Sequence, residues 1–298
     1  MGRHHRHGAA GFALKQEEHN EHNGMASRSI SRASHASHTA PRLSGGWRWA
    51  LLGALLGAVF TVVLNAPARW LAAALDKASA GHLLLTHARG TVWNGNAGVV
   101  LASGAGGAES ISLPANMQWT LRPRWGGFSA TLDLPCCTTE PLGLRASPRA
   151  GGLLLTLQDS RSNWPAALLA GLGTPWNTLR LDGILSLSTR TLALQWEGRR
   201  LAITGGATLQ ANDISSRLST LRPMGSYQLT LEGGEAPSLL LVSREGSSLR
   251  LDGSGRWTGT ALRFSGEASA APGSEAALSN LLNIIGRRDG ARTLITLG

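Results

Sequence analysis

Reactive side chains are few in this sequence of 298 residues, and their spacing builds little chemistry. Beyond residue 65 the only histidines are His82 and His87, so any Ser-His-Asp arrangement has to use one of them. No G-x-S-x-G nucleophile elbow occurs. The glycine-rich run GSGRWTG at 253–259 sits inside an alternating pattern with no helix behind it, which argues against a phosphate cradle. Asp182, Glu232 and Asp252 stand beside glycines or in turn positions, suited to turn chemistry or solvation rather than to a general acid–base pair. Cys136 and Cys137 are the only cysteines and are adjacent. In an oxidising compartment a vicinal ring, a bridge between chains and two free thiols all stay open. No histidine lies near enough in sequence to make them a metal site. HHRH at 4–7 is a short tract and a weak metal signal. These residues imply no enzyme and no cofactor.

The elements that position what remains begin with an apolar segment. Residues 50–64, ALLGALLGAVFTVVL, carry no charge. With Trp47, Trp49 and Ala66 the stretch reaches about the 20 residues of a spanning helix. Arg48 lies at its end, where it can snorkel beside the flanking tryptophans. Arg28, Arg32, Arg42 and Arg48 precede the span, against Arg69 and Lys77 with Asp76 after it. That bias predicts a cytoplasmic N-terminus and places residues 65–298 across the membrane. A cleaved signal peptide ending near LNAPA is the competing reading, but the span is long for one and Pro67 is awkward there. Gly53 and Gly57 form G-x-x-x-G beside Ala54 and Ala58, a small face for helix association or a product of Gly/Ala-rich composition.

Ahead of the span, residues 1–46 hold seven of the nine histidines and many Ser and Arg but no apolar period, which predicts a disordered cytoplasmic tail. Met25 is an alternative start. The expected organisation is this tail, a transmembrane helix over 47–66 and one β-rich domain over 67–298.

Charged residues are only 15% of the chain, against a usual share of about 25%. The net charge of +10 is spread singly rather than gathered on one stripe, which argues against nucleic acid as a partner. From residue 90 the pattern has period two. Leu179, Leu181, Leu185 and Leu187 share a face opposite Arg180, Ser186 and Ser188, and Leu192, Leu194 and Trp196 carry the alternation on. One apolar and one Ser/Thr/Arg face is the pattern of an antiparallel sheet covered on one side. RPRWGG, SPRAGG, EGGEAPS and REGSS are turn material at hairpin spacing. Two short helices are expected, NWPAALLAGLG with Asn163 as N-cap, and Ser274 to a stop at Gly286. The fold class is therefore mainly β: one N-terminal transmembrane helix, then an antiparallel meander or curved sheet.

GTVWNG at 90–95 is unusual, because Thr-Val-Trp favours a strand and Asn-Gly a turn. The reading is a strand ending at Trp93 and a turn at Asn94–Gly95, with Gly95 at positive φ. Trp93 then either seals the sheet as core or offers a docking surface, the core reading being preferred.

GTVWNG soon after a single span, MQWTLRP at 117–123 with Trp119, LRPMGSYQLTLEG at 221–233, LRLDGSGRWTGTALRFSGEASA at 249–270 and the ending ALSNLLNIIGRRDGARTLITLG together resemble protein N of the bacterial type II (general) secretion pathway. The resemblance runs from about residue 47 to the end and rests on the order of the blocks. The long His/Ser/Arg tail and the cysteine pair depart from the family pattern. It implies a single-pass inner-membrane protein of a Gram-negative bacterium, with a periplasmic domain serving the export of folded proteins across the outer membrane. Other inner-membrane platform subunits are the implied partners, and no catalytic residues are implied. A second expectation rests on the leucine rows alone: a lipid-binding groove, should the apolar face be unfilled.

Overall fold

The computed structural model describes residues 46–104 and 110–298; the expected tail lies outside the described residues. Leu52–Gly298 forms one compact unit. Helix α1, Gly46–Leu64, has no buried residue and is long and apolar enough to cross a membrane. It breaks at Asn65-Ala66-Pro67, since proline has no amide hydrogen to continue the ladder.

Helix α2, Ala68–Ala78, starts directly after Pro67 and was not expected. Its alanines favour helix intrinsically, and it ends where Ala80 and Gly81 turn left-handed (φ 51° and 80°). Among the described residues fifteen strands come after it. They are β1 Leu83–Gly90, β2 Asn94–Ala102, β3 Ser110–Arg124, β4 Gly127–Asp133 and β5 Leu142–Arg149. Next come β6 Gly152–Leu157, β7 Ser160–Pro165, β8 Leu181–Glu197, β9 Arg200–Ser216 and β10 Gly225–Glu232. The last are β11 Ser238–Ser243, β12 Leu249–Trp257, β13 Leu262–Ala270, β14 Arg287–Asp289 and β15 Arg292–Leu297. They form one antiparallel sheet in which sequence neighbours are almost everywhere neighbours in space. The exceptions are the far edge, where β15 sits between β13 and β14, and β7, which pairs with the first half of β8 while β6 pairs with the second.

The leucine rows pair as their alternation requires, but the parity changes along β8. Leu185 and Leu192 are both buried although seven positions apart. A bulge between Arg190 and Ala193, with Thr191 at φ 45°, inserts the extra residue that returns the leucines to the same face. Bulges at Thr86–Arg89, Gly98–Val100 and Gly225–Tyr227 bend the sheet elsewhere.

Helical segments cover the apolar face. Helix α4, Glu275–Ile285, follows Ser274 and buries Leu278, Leu281 and Leu282, a 3–4 spacing that makes one stripe, against Met224, Tyr227, Leu249 and Ala268. Gly286 does stop this helix, but as extended backbone at φ −177° rather than a left-handed cap. A Cβ there would collide with the Leu294 carbonyl, so glycine is needed for close approach of β15. The other expected helix is a 3-10 segment, Ala166–Leu172, that begins after Pro165; Asn163 lies in β7 and caps nothing. Its Leu168 packs with Val99, Leu113, Leu134 and Cys137. A one-turn helix α3, Trp176–Leu179, was also unexpected and takes Leu179 out of the strand, which begins at Leu181. Helix α2 closes a third cluster through Ala68 against Ala97 and Trp119.

Candidate functional site

The residues of GTVWNG meet the end of α1. The last carbonyls of a helix have no partner within it. Here the indole N–H of Trp93 donates to the Val63 carbonyl at 2.8 Å, and the Val92 amide donates to Ala66 O at 2.8 Å. Pro67 and Thr91 form an isolated antiparallel bridge next to these contacts. The segment leaving the helix is thereby laid against the β1–β2 turn as an extra length of strand.

That turn is itself closed. Gly90 has φ 90°, and a Cβ there would meet the Asn94 carbonyl. The Thr91 amide donates to Asn94 O at 2.8 Å and the Asn94 amide to Thr91 Oγ1 at 3.1 Å. The turn is therefore Thr91–Trp93 with Asn94 and Gly95 opening β2, the reverse of the order expected from residue types. Gly95 is not at positive φ. It faces Trp119 across the β2–β3 ladder, and a Cβ there would collide with that indole.

Trp119, only 3% exposed, is the aromatic that fills the core at this corner, whereas Trp93 is half-buried at the helix end. Trp119 also donates its indole N–H to Val92 O at 3.0 Å, and the Leu121 amide donates to Trp93 O at 2.6 Å. Gly90, Trp93, Gly95 and Trp119 thus converge in one joint. Gly53 and Gly57 lie apart from it on α1, with open space where a Cβ would be. Sequence reasoning missed Val63 and Ala66, whose part is played by carbonyls that carry no residue signature. The helix break at Asn65-Ala66-Pro67 was the available signal.

The chemically capable groups are occupied locally. His82 Nδ1 lies 3.1 Å from Ala102 O, and His87 is exposed at φ 52° in the β1 bulge. Asp182 accepts from the Gly183 amide at 3.0 Å, Asp252 from the Ser243 amide at 3.4 Å, and Glu232 pairs with Arg190 at 3.3 Å on the surface. Among the described residues no three His, Cys, Asp or Glu side chains converge as a metal site would require. Cys136 and Cys137 are joined as a vicinal disulfide, with Cys136 exposed and Cys137 buried in the second cluster. The Cys137 carbonyl accepts from the Asn163 amide at 2.7 Å, tying the loop to β7.

Fold and joint together define a protein that has, among the described residues, one apolar helix fit for a single-pass anchor, clasped by its own sheet. A family model for type II secretion system protein N matches residues 81–294, and the chain belongs to that family. It is a component of type II secretion, a protein-transport system. Neither the curated proteins nor the solved structures contain a significant match.

Proposed function

We propose that the protein is a non-enzymatic accessory or scaffold subunit of the inner-membrane platform of the type II secretion system, supporting export of folded periplasmic proteins across the outer membrane. The observation that carries this reading is the clasp of Trp93 and Val92 on Val63 and Ala66, which fixes the sheet to the anchor. A subunit that bears load between membrane and periplasm needs such a connection; an enzyme merely tethered to the membrane does not. The arginine bias before α1 supports a cytoplasmic N-terminus with the sheet in the periplasm. Other platform subunits are the partners on this reading, with the Gly53/Gly57 face a candidate contact between helices.

The lipid-groove alternative uses the same leucine rows. Packing of α2, α4 and the 3-10 segment over those rows favours a filled core. Complementation of a strain lacking the gene tests the proposal. Secreted proteins should accumulate folded in the periplasm without the subunit, and platform proteins should copurify with the full chain. Normal secretion in its absence would overturn the reading. Phospholipid retained in stoichiometric amount by the detergent-purified chain would favour the groove.

A further inference from the structure

We propose that the β3–β4 hairpin, beside the anchor, docks on the surface of an anionic phospholipid bilayer. This rests on the reading of α1 as a membrane anchor and adds a second, electrostatic contact to it. The placement comes from the joint. β3 passes Trp93 at Leu121 and continues for Arg122, Pro123 and Arg124 before turning through Trp125. At about 3.3 Å per residue the tip stands about 13 Å beyond Leu121, at the same end of the strands as the turn that meets α1.

The tip has the composition of a membrane interface. Trp125 is fully exposed and Phe128 is 51% exposed, both without a covering element. Pro123 pairs with Phe128, so these two apolar residues share one face of the hairpin, with Trp125 at its turn. The opposite face carries arginine. Arg122 pairs with Ser129 and Ser129 with Arg145, which sets the two guanidinium-bearing residues in one row across three strands. With Arg124 they line an open cleft of about 720 Å³ whose lining contains no carboxylate. Among the described residues none of the three has an acidic partner. Trp70, 51% exposed in the first turn of α2, and exposed Arg69 repeat the pair of types just past the helix end. Exposed aromatics and arginines near a helix end match the composition of the interfacial belt, where indole sits among headgroups and guanidinium meets phosphate. Arginine near an anionic leaflet shifts the docked population by about fivefold per residue, and salt screens it.

Hydrogen exchange of the full chain tests this, in discs of phosphatidylcholine alone and of phosphatidylcholine mixed with phosphatidylglycerol. Amides of Arg124 to Gly127 should exchange several-fold more slowly in the mixed discs. Arg122→Gln with Arg124→Gln should abolish the difference, while peptides from β10–β13 stay unchanged and report an intact fold. Equal exchange in both discs, with the chain resisting alkaline carbonate extraction, sinks the docking and leaves the anchor standing. Extraction by carbonate sinks both. Slowing that appears only when other secretion subunits share the disc assigns the hairpin to a protein partner and overturns the proposal.

Discussion

Trp93 reaches back thirty residues to bond the carbonyl of Val63, so the side chain at the lip of the first turn completes the end of the helix before it. The same device recurs at the other end of the sheet, where the buried Thr293 hydroxyl donates to Leu282 O at 3.1 Å in the last turn of α4. Both contacts go to carbonyls in the last turn of a helix, where intrahelical partners run out, although Val63 O also accepts from the Ala66 amide at 3.3 Å. Each makes the position of a helix depend on the sheet.

Replacing Trp93 by Phe keeps an aromatic ring and removes the donor. The expected stability loss is about 1 kcal/mol, since one hydrogen bond goes and the site is half open to solvent. Secretion should fall by more than that loss explains if the clasp transmits load. Thermal unfolding of the full chain in detergent, read beside a secretion assay, separates the two. An unchanged secretion rate would mean that the clasp is structural only.

Trp119→Ala should cost about 3–5 kcal/mol, because a large buried aromatic is removed from a packed corner. Gly95→Val should be harmful for the complementary reason, its side chain having no room beside that indole. Combined as Gly95→Val with Trp119→Leu, the two should cost clearly less than their sum, as neighbours that share one space do. Strict additivity in chemical denaturation would show that Gly95 is not shaped by Trp119.

Gly53→Leu with Gly57→Leu should weaken helix association in the bilayer by about 1 kcal/mol where close packing is lost. A membrane two-hybrid signal that survives the pair of substitutions assigns the small residues to composition.

Orientation is checked by fusing reporters after Gly298. One active only in the periplasm should work, and one active only in the cytoplasm should be silent. The opposite pattern reverses the assigned topology.

Tyr227 is the only tyrosine in the chain, buried, with its hydroxyl donating to Leu249 O at 3.0 Å. Burial raises its pKa above the ordinary phenol value. The folded state therefore holds this proton more tightly than the unfolded state. Its contribution to stability is complete below about pH 10 and is lost as pH rises beyond that, at about 1.4 kcal/mol per unit. Ultraviolet absorbance should show no phenolate until the chain unfolds. Tyr227→Phe should flatten the alkaline part of the stability curve; phenolate appearing in the native protein near pH 10 would contradict the burial effect.

The strands and their faces were legible because strand alternation is local: Leu185 and Leu187, or Leu192 and Leu194, declare a buried face without reference to any partner. The apolar helix was legible for the same reason, since fifteen uncharged residues at 50–64 need no partner to be apolar. Even the parity jump between Leu187 and Leu192 stood in the sequence, though only the ladder shows that a bulge at Thr191 absorbs it. Tertiary structure alone decided which tryptophan is core. Trp93 and Trp119 are the same residue type in similar company, and each could have filled the corner. The choice was made by register, which sets Gly95 opposite Trp119 and leaves the gap a glycine provides, and by the return of the chain at Pro67, which brings Val63 within reach of Trp93. Those are relations between segments far apart in sequence, so no single stretch of residues carries them.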